Sequence, residues 1–343
     1  MKPINKSYPT ITITTATYFG ERTIEKFLEC IFSQDYPKEK IELLFGDGGS
    51  EDKTLDIIRK YIKKYPKNIK LIHNEKRLSE GKGMGKDMLT RKAKGEIIII
   101  LDQDNILVQK NWISNMVKIL IENPEIKGVQ SKMFAPKTSS FVDRYLNGLG
   151  IEDPFATSYS LNAQVIFNPS KFGYDKRGYY IYHAHPNNFL YAGGDGFVIR
   201  KKDLMEAGGY TQDIDNFYRM ALKKYKIAVP RNIKLHHNTS NEFVKYLKKR
   251  GYFVQHFLLE NVEGRDFNWV SKENSFWQNL KFYRTVMFNL LIVPGLMQAL
   301  SRIIREKEKF WLIHPIMLFL ITSIYIYSFF YTRIFRKVGI SYK

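Results

Sequence analysis

The chain has 343 residues, 44% apolar and 26% charged, enough to bury one large core or two ordinary ones. Its formal charge is +20, from 54 Lys and Arg against 34 Asp and Glu, which favours anionic partners: nucleic acid, anionic lipid or phosphorylated substrates. The single cysteine, Cys30, excludes internal disulfides and cysteine-based metal clusters, and its place on the apolar face of a predicted helix gives it a core role.

The first hundred residues alternate strand and helix. Strands are predicted at Thr10 to Thr15, Ile41 to Phe45, Ile69 to His73 and Glu96 to Leu101. Helices are predicted at Glu21 to Phe32, Asp52 to Tyr65 and Gly81 to Lys94; the first carries Ile24, Phe27, Leu28 and Ile31 at helical spacing. Short links between alternating elements argue for an α/β fold, with a mostly parallel sheet flanked by helices. The start, Met1 to Lys6, has no apolar run of the kind a secretory signal carries, so the amino-terminal part is expected in the cytoplasm.

After a helix at Trp112 to Ile121 the pattern loosens, and Ser131 to Asn188 has little clear period. Tyr191 to Arg200 reads as turn plus strand. Lys202 to Ala207 and Asp213 to Lys224 read as helices, and Ala228 to His236 as a strand interrupted by Pro230. The tail differs again. Phe310 to Tyr331 runs for about twenty residues without a charge, long enough to cross a bilayer's hydrocarbon core. A second apolar stretch, Thr285 to Leu300, is shorter and is interrupted by Pro294-Gly295. The expected organisation is therefore a domain over 1–270, divided near 105. A membrane-associated helical region follows at 271–343, with a transmembrane segment at 310–331 and a possible second segment at 285–300.

The chemistry concentrates where strands end. Ile97-Ile98-Ile99-Ile100-Leu101 runs straight into Asp102-Gln103-Asp104. A strand apolar on both faces belongs inside a parallel sheet, and its carboxyl end is where such sheets bind ligands. Two carboxylates one residue apart repel unless a cation lies between them, and a divalent metal carrying a phosphate is the usual one. Asp47 ends its own strand in Asp47-Gly48-Gly49-Ser50 and can accept a hydrogen bond from a base or a ribose hydroxyl. Gly81-Lys82-Gly83-Met84-Gly85-Lys86 joins glycines and lysines at a helix start, so Gly81, Lys82 and Lys86 are candidate phosphate or sugar contacts. Asp213 and Asp215 open a later helix, and an exposed carboxylate there can act as a general base. His236 and His237 end a strand and are candidate metal ligands; Lys248, Lys249 and Arg250 are candidate contacts for a diphosphate or a lipid surface.

Taken in order, these pieces resemble a family 2 glycosyltransferase of the GT-A fold over roughly residues 9 to 250. The stretches that carry the resemblance are Ala16-Thr17-Tyr18-Phe19-Gly20-Glu21, Gln34-Asp35-Tyr36-Pro37, Asp47-Gly48-Gly49-Ser50, Gly81 to Asp87, Ala93-Lys94-Gly95-Glu96, Asp102-Gln103-Asp104, Gly208-Gly209-Tyr210 and Gln212-Asp213-Ile214-Asp215. The departures are a missing proline and asparagine in the first stretch, Asp87 in an asparagine position, and Gln212 in a glutamate position. The resemblance implies that Thr17, Tyr18, Glu21 and Asp47 hold the nucleoside and that Asp102 contacts ribose or the metal shell, with Gln103 in the donor-binding set. Asp104 would bind Mg²⁺ or Mn²⁺, His236 rather than His237 would complete the metal site, and Asp213 would be the catalytic base. The implied activity is inverting transfer of sugar from a nucleotide-diphosphate sugar to a lipid-linked or polysaccharide acceptor. A UDP-sugar is expected as donor, a GDP-sugar next. The implied place is the cell membrane, with the catalytic domain on the cytoplasmic side and no nucleic acid as partner. Two other classes stay in view: a basic membrane-bound nucleic-acid-binding protein, and a catalytically silent scaffold of the same fold.

Overall fold

The computed structural model describes residues 8–159, 173–176, 178–187, 189, 194–238, 242–255 and 265–338. The reading of Met1 to Lys6 lies outside them, as does part of the irregular stretch before Asn188. The elements in chain order begin with β1 (Ile11–Thr17), α1 (Ile24–Phe32), β2 (Ile41–Asp47), α2 (Thr54–Lys64), β3 (Ile69–His73), α3 (Gly85–Lys92) and β4 (Ile97–Ile100). They continue with β5 (Asn105–Leu107), α4 (Trp112–Glu122), β6 (Ile126–Gln130), β7 (Lys132–Met133), α5 (Phe141–Leu149), α6 (Pro154–Ser158), β8 (Gly173–Lys176), β9 (Tyr179–His183) and β10 (Phe197–Arg200). They end with α7 (Lys201–Glu206), α8 (Asp213–Leu222), β11 (Lys226–Pro230), β12 (Lys234–His237), α9 (Phe243–Phe253), α10 (Phe276–Leu290), α11 (Val293–Glu306) and α12 (His314–Val338). The chain forms two compact units, one of residues 1–134 and 162–238, the other of 135–161 and 239–343. The helical region expected at 271–343 falls within the second, which also takes in 135–161 and 239–270.

The first unit is built on a sheet ordered β3-β2-β1-β4-β10-β6-β11-β9-β8 among the described residues. Its first four strands are parallel, so Thr17, Asp47 and the residues after Ile100 leave the sheet at one edge. β4 is four isoleucines, all buried, as a strand covered on both faces requires. α1 turns Ile24, Phe27, Leu28 and Ile31 onto the sheet, where they meet a core containing Ile13, Phe45, Ile99, Trp112 and Met116. Each such side chain stabilises the fold by roughly 1.5–3 kcal/mol. Cys30 joins this packing: its thiol donates to the Phe27 carbonyl, and burial pushes it up to about 12.

Beyond β4 the sheet is mixed. β10 lies antiparallel between β4 and β6, placing a late segment beside the early parallel half. The strand expected at Ala228 to His236 divides after Pro230 into β11 and β12, and β12 joins a small separate sheet with β5 and β7. There His237 pairs with Asn105, just after the acidic strand end.

The second unit holds α5, α6 and α9 to α12. Asp153 caps α6 with one carboxylate oxygen; the other accepts from Arg250 at 2.8 Å and from the Tyr325 hydroxyl at 2.9 Å. Arg250 is thus a buried ion-pair partner, and Lys249 pairs with Glu152 at 3.0 Å. Asn289 donates to Thr322 at 3.0 Å, and Tyr145 meets His314 at 2.8 Å, so polar side chains along one side of α12 are bonded within this unit. Residues Lys309–Tyr331 form a helical stretch long and apolar enough to cross a membrane by length and composition. The shorter stretch expected at 285–300 is not one helix. It breaks at Ile292, whose φ is +54°, into α10 and α11, with a bend of 79°.

Candidate active site

The centre of the first unit's acidic edge is Lys86. α3 begins four residues later than expected, at Gly85, and its first turn faces inward. Gly85 has φ +35°, and a Cβ there would stand 2.0 Å from the Ser79 carbonyl oxygen, so only glycine fits. That turn sends Lys86 into the protein. Its side chain is 3% exposed, with Nζ 3.1 Å from Asp102 and 3.6 Å from Asp213. Burial alone would lower the ammonium's pKa. Asp102, Asp213, Glu80 and Asp195 more than reverse that and hold it well above its usual value.

Asp213 opens α8 and is only 15% exposed. The Tyr210 hydroxyl donates to it at 2.6 Å. Glu80, from the loop before α3, lies against it, and burial together with the Asp213 charge pushes Glu80 up to about 8. Glu80 also accepts from the Asp213 backbone N–H at 3.5 Å, and the Asp213 carboxylate sits between two donors, Lys86 and Tyr210.

The second half of the cluster surrounds Asp104. His237 Nε2 is 3.2 Å from its carboxylate, and His237 Nδ1 is 3.5 Å from Asp195. Asp195 also accepts from the Asn105 amide at 2.8 Å. The expected histidine was His236. Successive strand residues point to opposite faces, so the register that brings His237 to Asp104 turns His236 to the other side of β12. Asp195 was not foreseen. It stands just before β10, about ninety residues beyond its partner Asn105, and its signal in the sequence is Gly193-Gly194-Asp195-Gly196 ahead of an apolar strand. Gly194 is tied to the same cluster, since a Cβ there would lie 2.5 Å from Lys86 Nζ.

At the other end of the edge, Gln103 accepts from the Thr17 hydroxyl and donates to the Tyr18 carbonyl at 3.0 Å. Tyr18 and Phe19 are about half exposed and meet edge to face. Asp47 is spent on its own turn, accepting from Gly49 N, Ser50 N and the Ser50 hydroxyl at 2.6–3.0 Å, with lone pairs left for a ligand. Arg77 was also missed; its guanidinium lies close over Gly49. Glu21 accepts from the Lys53 backbone, clasping the loop after β1 to the loop after β2. Gly81 donates to the Thr211 carbonyl at 2.6 Å, tying the glycine loop to the loop before α8, and Lys82 is exposed on it. Asp87 pairs with Arg91 at 3.0 Å and accepts from Gly83, holding that loop.

Among the described residues, no group of three or more acidic, histidine or cysteine side chains is set to hold a metal alone. Asp104 and His237 nevertheless suit one. Two adjacent ligands of an octahedral ion at about 2.1 Å lie about 3 Å apart, and such an ion often takes its remaining ligands from water and substrate phosphate. The 3.2 Å separation here matches that spacing.

Residues 12–204 match the family described as Glycosyl transferase family 2. The chain belongs to that family. It is 26% identical over 341 residues to a dolichyl N-acetyl-alpha-D-glucosaminyl phosphate 3-beta-D-2,3-diacetamido-2,3-dideoxy-beta-D-glucuronosyltransferase of Methanococcus voltae, covering 93% of this chain and 96% of that protein. It is 31% identical over 169 residues to a poly(ribitol-phosphate) beta-N-acetylglucosaminyltransferase of Staphylococcus aureus, covering 46% of this chain and 29% of that one. Among solved structures, a Pyrobaculum calidifontis mannosyltransferase in complex with GDP-Man and Mn²⁺ superposes with a TM-score of 0.56 at 18% identity, covering 94% of this chain and 88% of that one. The fold of the family 2 enzyme is thus GT-A, and the protein is a glycosyltransferase.

Proposed function

We propose that this family 2 glycosyltransferase performs inverting, metal-dependent transfer from a nucleotide-diphosphate sugar to a lipid-linked or polysaccharide acceptor. The observation that carries the reading is the convergence of Asp102, Asp213 and Lys86 within 3.6 Å at one strand edge, although they lie far apart in sequence. Thr17, Tyr18, Glu21 and Asp47 hold the nucleoside, with Tyr18 and Phe19 offering faces for the base. Gln103 fixes the loop on which they stand. Lys82 and Arg77 supply positive charge at the loop rims. Asp104 and His237 would hold Mg²⁺ or Mn²⁺, and Asp102, on the same strand end, would contact the ribose or the metal's surroundings. The ion, when bound, neutralises charge that develops on the leaving diphosphate.

Asp213 receives the proton of the acceptor hydroxyl as that oxygen attacks the anomeric carbon from the face opposite the diphosphate. Lys86 and Tyr210 hold the carboxylate in place. A single displacement needs no covalent sugar–enzyme intermediate. The lipid-linked acceptor draws support from the full-length likeness to a transferase whose name specifies a dolichyl phosphate substrate. The apolar stretch at 309–331 supports a membrane setting; the catalytic domain is taken to lie on the cytoplasmic side. The donor nucleotide is taken as UDP first and GDP second.

The test is a panel of nucleotide sugars read by thermal shift with and without Mn²⁺, followed by transfer assays. A bound donor raises the melting temperature through linkage. Asp213→Asn should lower kcat by roughly 10²- to 10⁴-fold with little change in donor KM. Normal turnover by that variant removes Asp213 from the role of base.

A further inference from the structure

Two helices in the second unit are inside out. On a helix at a water surface the apolar stripe faces the core and the polar side faces solvent. α10 buries Thr285 and Asn289, and α11 buries Gly295, Ala299 and Arg302. Their outward faces carry Phe276, Trp277, Leu280, Tyr283, Met287, Phe288 and Leu291, then Val293, Leu296, Met297, Leu300 and Ile304. These recur at intervals of three and four residues, so each helix presents a continuous apolar stripe. Trp277 is 74% exposed and Ile304 77%. Contiguous apolar surface of this extent marks a binding face.

We propose that α10 and α11 form an in-plane docking surface for an anionic lipid bilayer, an inference that rests on the membrane setting proposed above. Charge complementarity names the occupant. Between residues 272 and 309 the basic side chains are Lys272, Lys281, Arg284, Arg302, Arg305, Lys307 and Lys309; the acids are Glu273, Glu306 and Glu308. Two of those acids are already engaged, Glu306 with Arg302 and Glu308 with Arg144. Arg302 is buried and paired with Glu306, and Lys281 lies over the Tyr159 ring, so the exposed surplus is Lys272, Arg284, Arg305, Lys307 and Lys309, positive charge of the kind carried by helices that lie at lipid interfaces. Neither helix of this pair is long enough to cross by itself. Helices of 15 and 14 residues reach about 22 Å and 21 Å at 1.5 Å per residue, short of about 30 Å of hydrocarbon. The 79° bend turns α11 out of line with α10. Arg284 stands exposed in the middle of α10, where a flat orientation lets its guanidinium reach water, while the Lys281 ammonium lies over the Tyr159 ring at 4.3 Å.

The test is flotation of the purified full-length chain with preformed vesicles, either wholly zwitterionic or about one-third anionic. It compares wild type with the triple variant Met297→Glu, Leu300→Glu, Ile304→Glu. Wild type should float several-fold better on the anionic vesicles and lose that advantage in high salt. The triple variant should fall tenfold or more at an unchanged melting temperature, because all three side chains are exposed. Equal flotation of wild type and variant overturns the proposal. So does binding indifferent to lipid charge, or a wild-type dimer that the variant dissociates while neither floats, since the stripe then belongs to a second copy. Transfer to a vesicle-free acceptor is measured in parallel: its failure strikes the catalytic reading and leaves the flotation result standing.

Discussion

Replacing Lys86 by Met removes the ammonium that stands between Asp102 and Asp213. At 3.1 and 3.6 Å the gross attractions are each about 5 kcal/mol at an effective dielectric near 20, far above the net effect. Breaking a buried pair by removing one partner costs about 3–5 kcal/mol. Asp102 is about one-third exposed, so solvent screens its share, and about 3 kcal/mol is the expected loss at pH 8. That corresponds to a fall of about 6–12 °C in melting temperature for a unit of this size. The deficit should shrink toward pH 5. Glu80 is pushed up to about 8 even with Lys86 opposing that rise, so losing the ammonium raises it further, and its protonation at lower pH relieves the repulsion in the folded state. The assay is differential scanning fluorimetry of both proteins across pH 5 to 8. A variant melting within about 2 °C of wild type at every pH would refute the idea that Lys86 holds the cluster together.

Glu80→Gln tests the proton shared beside Asp213. Because the folded pKa, about 8, lies above the unfolded value of 4.5, the folded state holds the extra proton between those limits. Its contribution to stability is full below the lower limit and declines as pH rises toward the upper one. The variant should lose up to about 1.4 kcal/mol per pH unit of that slope, read from urea midpoints at pH 5, 6.5 and 8; an unchanged slope rejects the shared proton. Gly194→Ala places a methyl 2.5 Å from Lys86 Nζ and 3.0 Å from Ile100, so it should weaken donor binding about tenfold, seen by titration calorimetry, with a small loss of stability. Arg250→Met leaves Asp153 buried beside Tyr325 and should cost about 3–5 kcal/mol in the second unit. The donor-induced shift of the first unit's transition should persist; its loss would contradict independent roles.

The parallel half of the sheet was legible because its strands and helices are local. Ile97 to Ile100 has one reading, and the acids after it inherit the strand-end position. Asp213 was legible as the opening of a helix after Gly208-Gly209. Lys86 was read from its glycine-rich loop as a candidate phosphate or sugar contact; its burial and pairing with Asp102 were not legible, because α3 has polar residues on its buried face and periodicity carries no sign of that. His236 was favoured over His237 as the metal ligand; the structure sets His237 3.2 Å from Asp104, and a choice between strand neighbours is a choice of face that the sequence does not fix. Asp195 was invisible because β10 enters between β4 and β6 out of chain order, and adjacency of that kind leaves no local trace. The glycosyltransferase assignment itself rested on the order of many weak motifs, which the family match over residues 12–204 upholds.

The position of β10 also bears on how the chain is made. β4 is flanked by β1 on one side and by β10 on the other, and β10 is synthesised roughly a hundred residues later. At about 5–20 residues per second, a ribosome leaves that flank of four isoleucines without its neighbour for about 5–20 seconds. A nascent chain in that interval exposes a sticky hydrogen-bonding border of the kind that recruits other chains. Stalling or truncation between residues 134 and 190 should therefore yield insoluble product, even though the parallel half of the sheet is already complete.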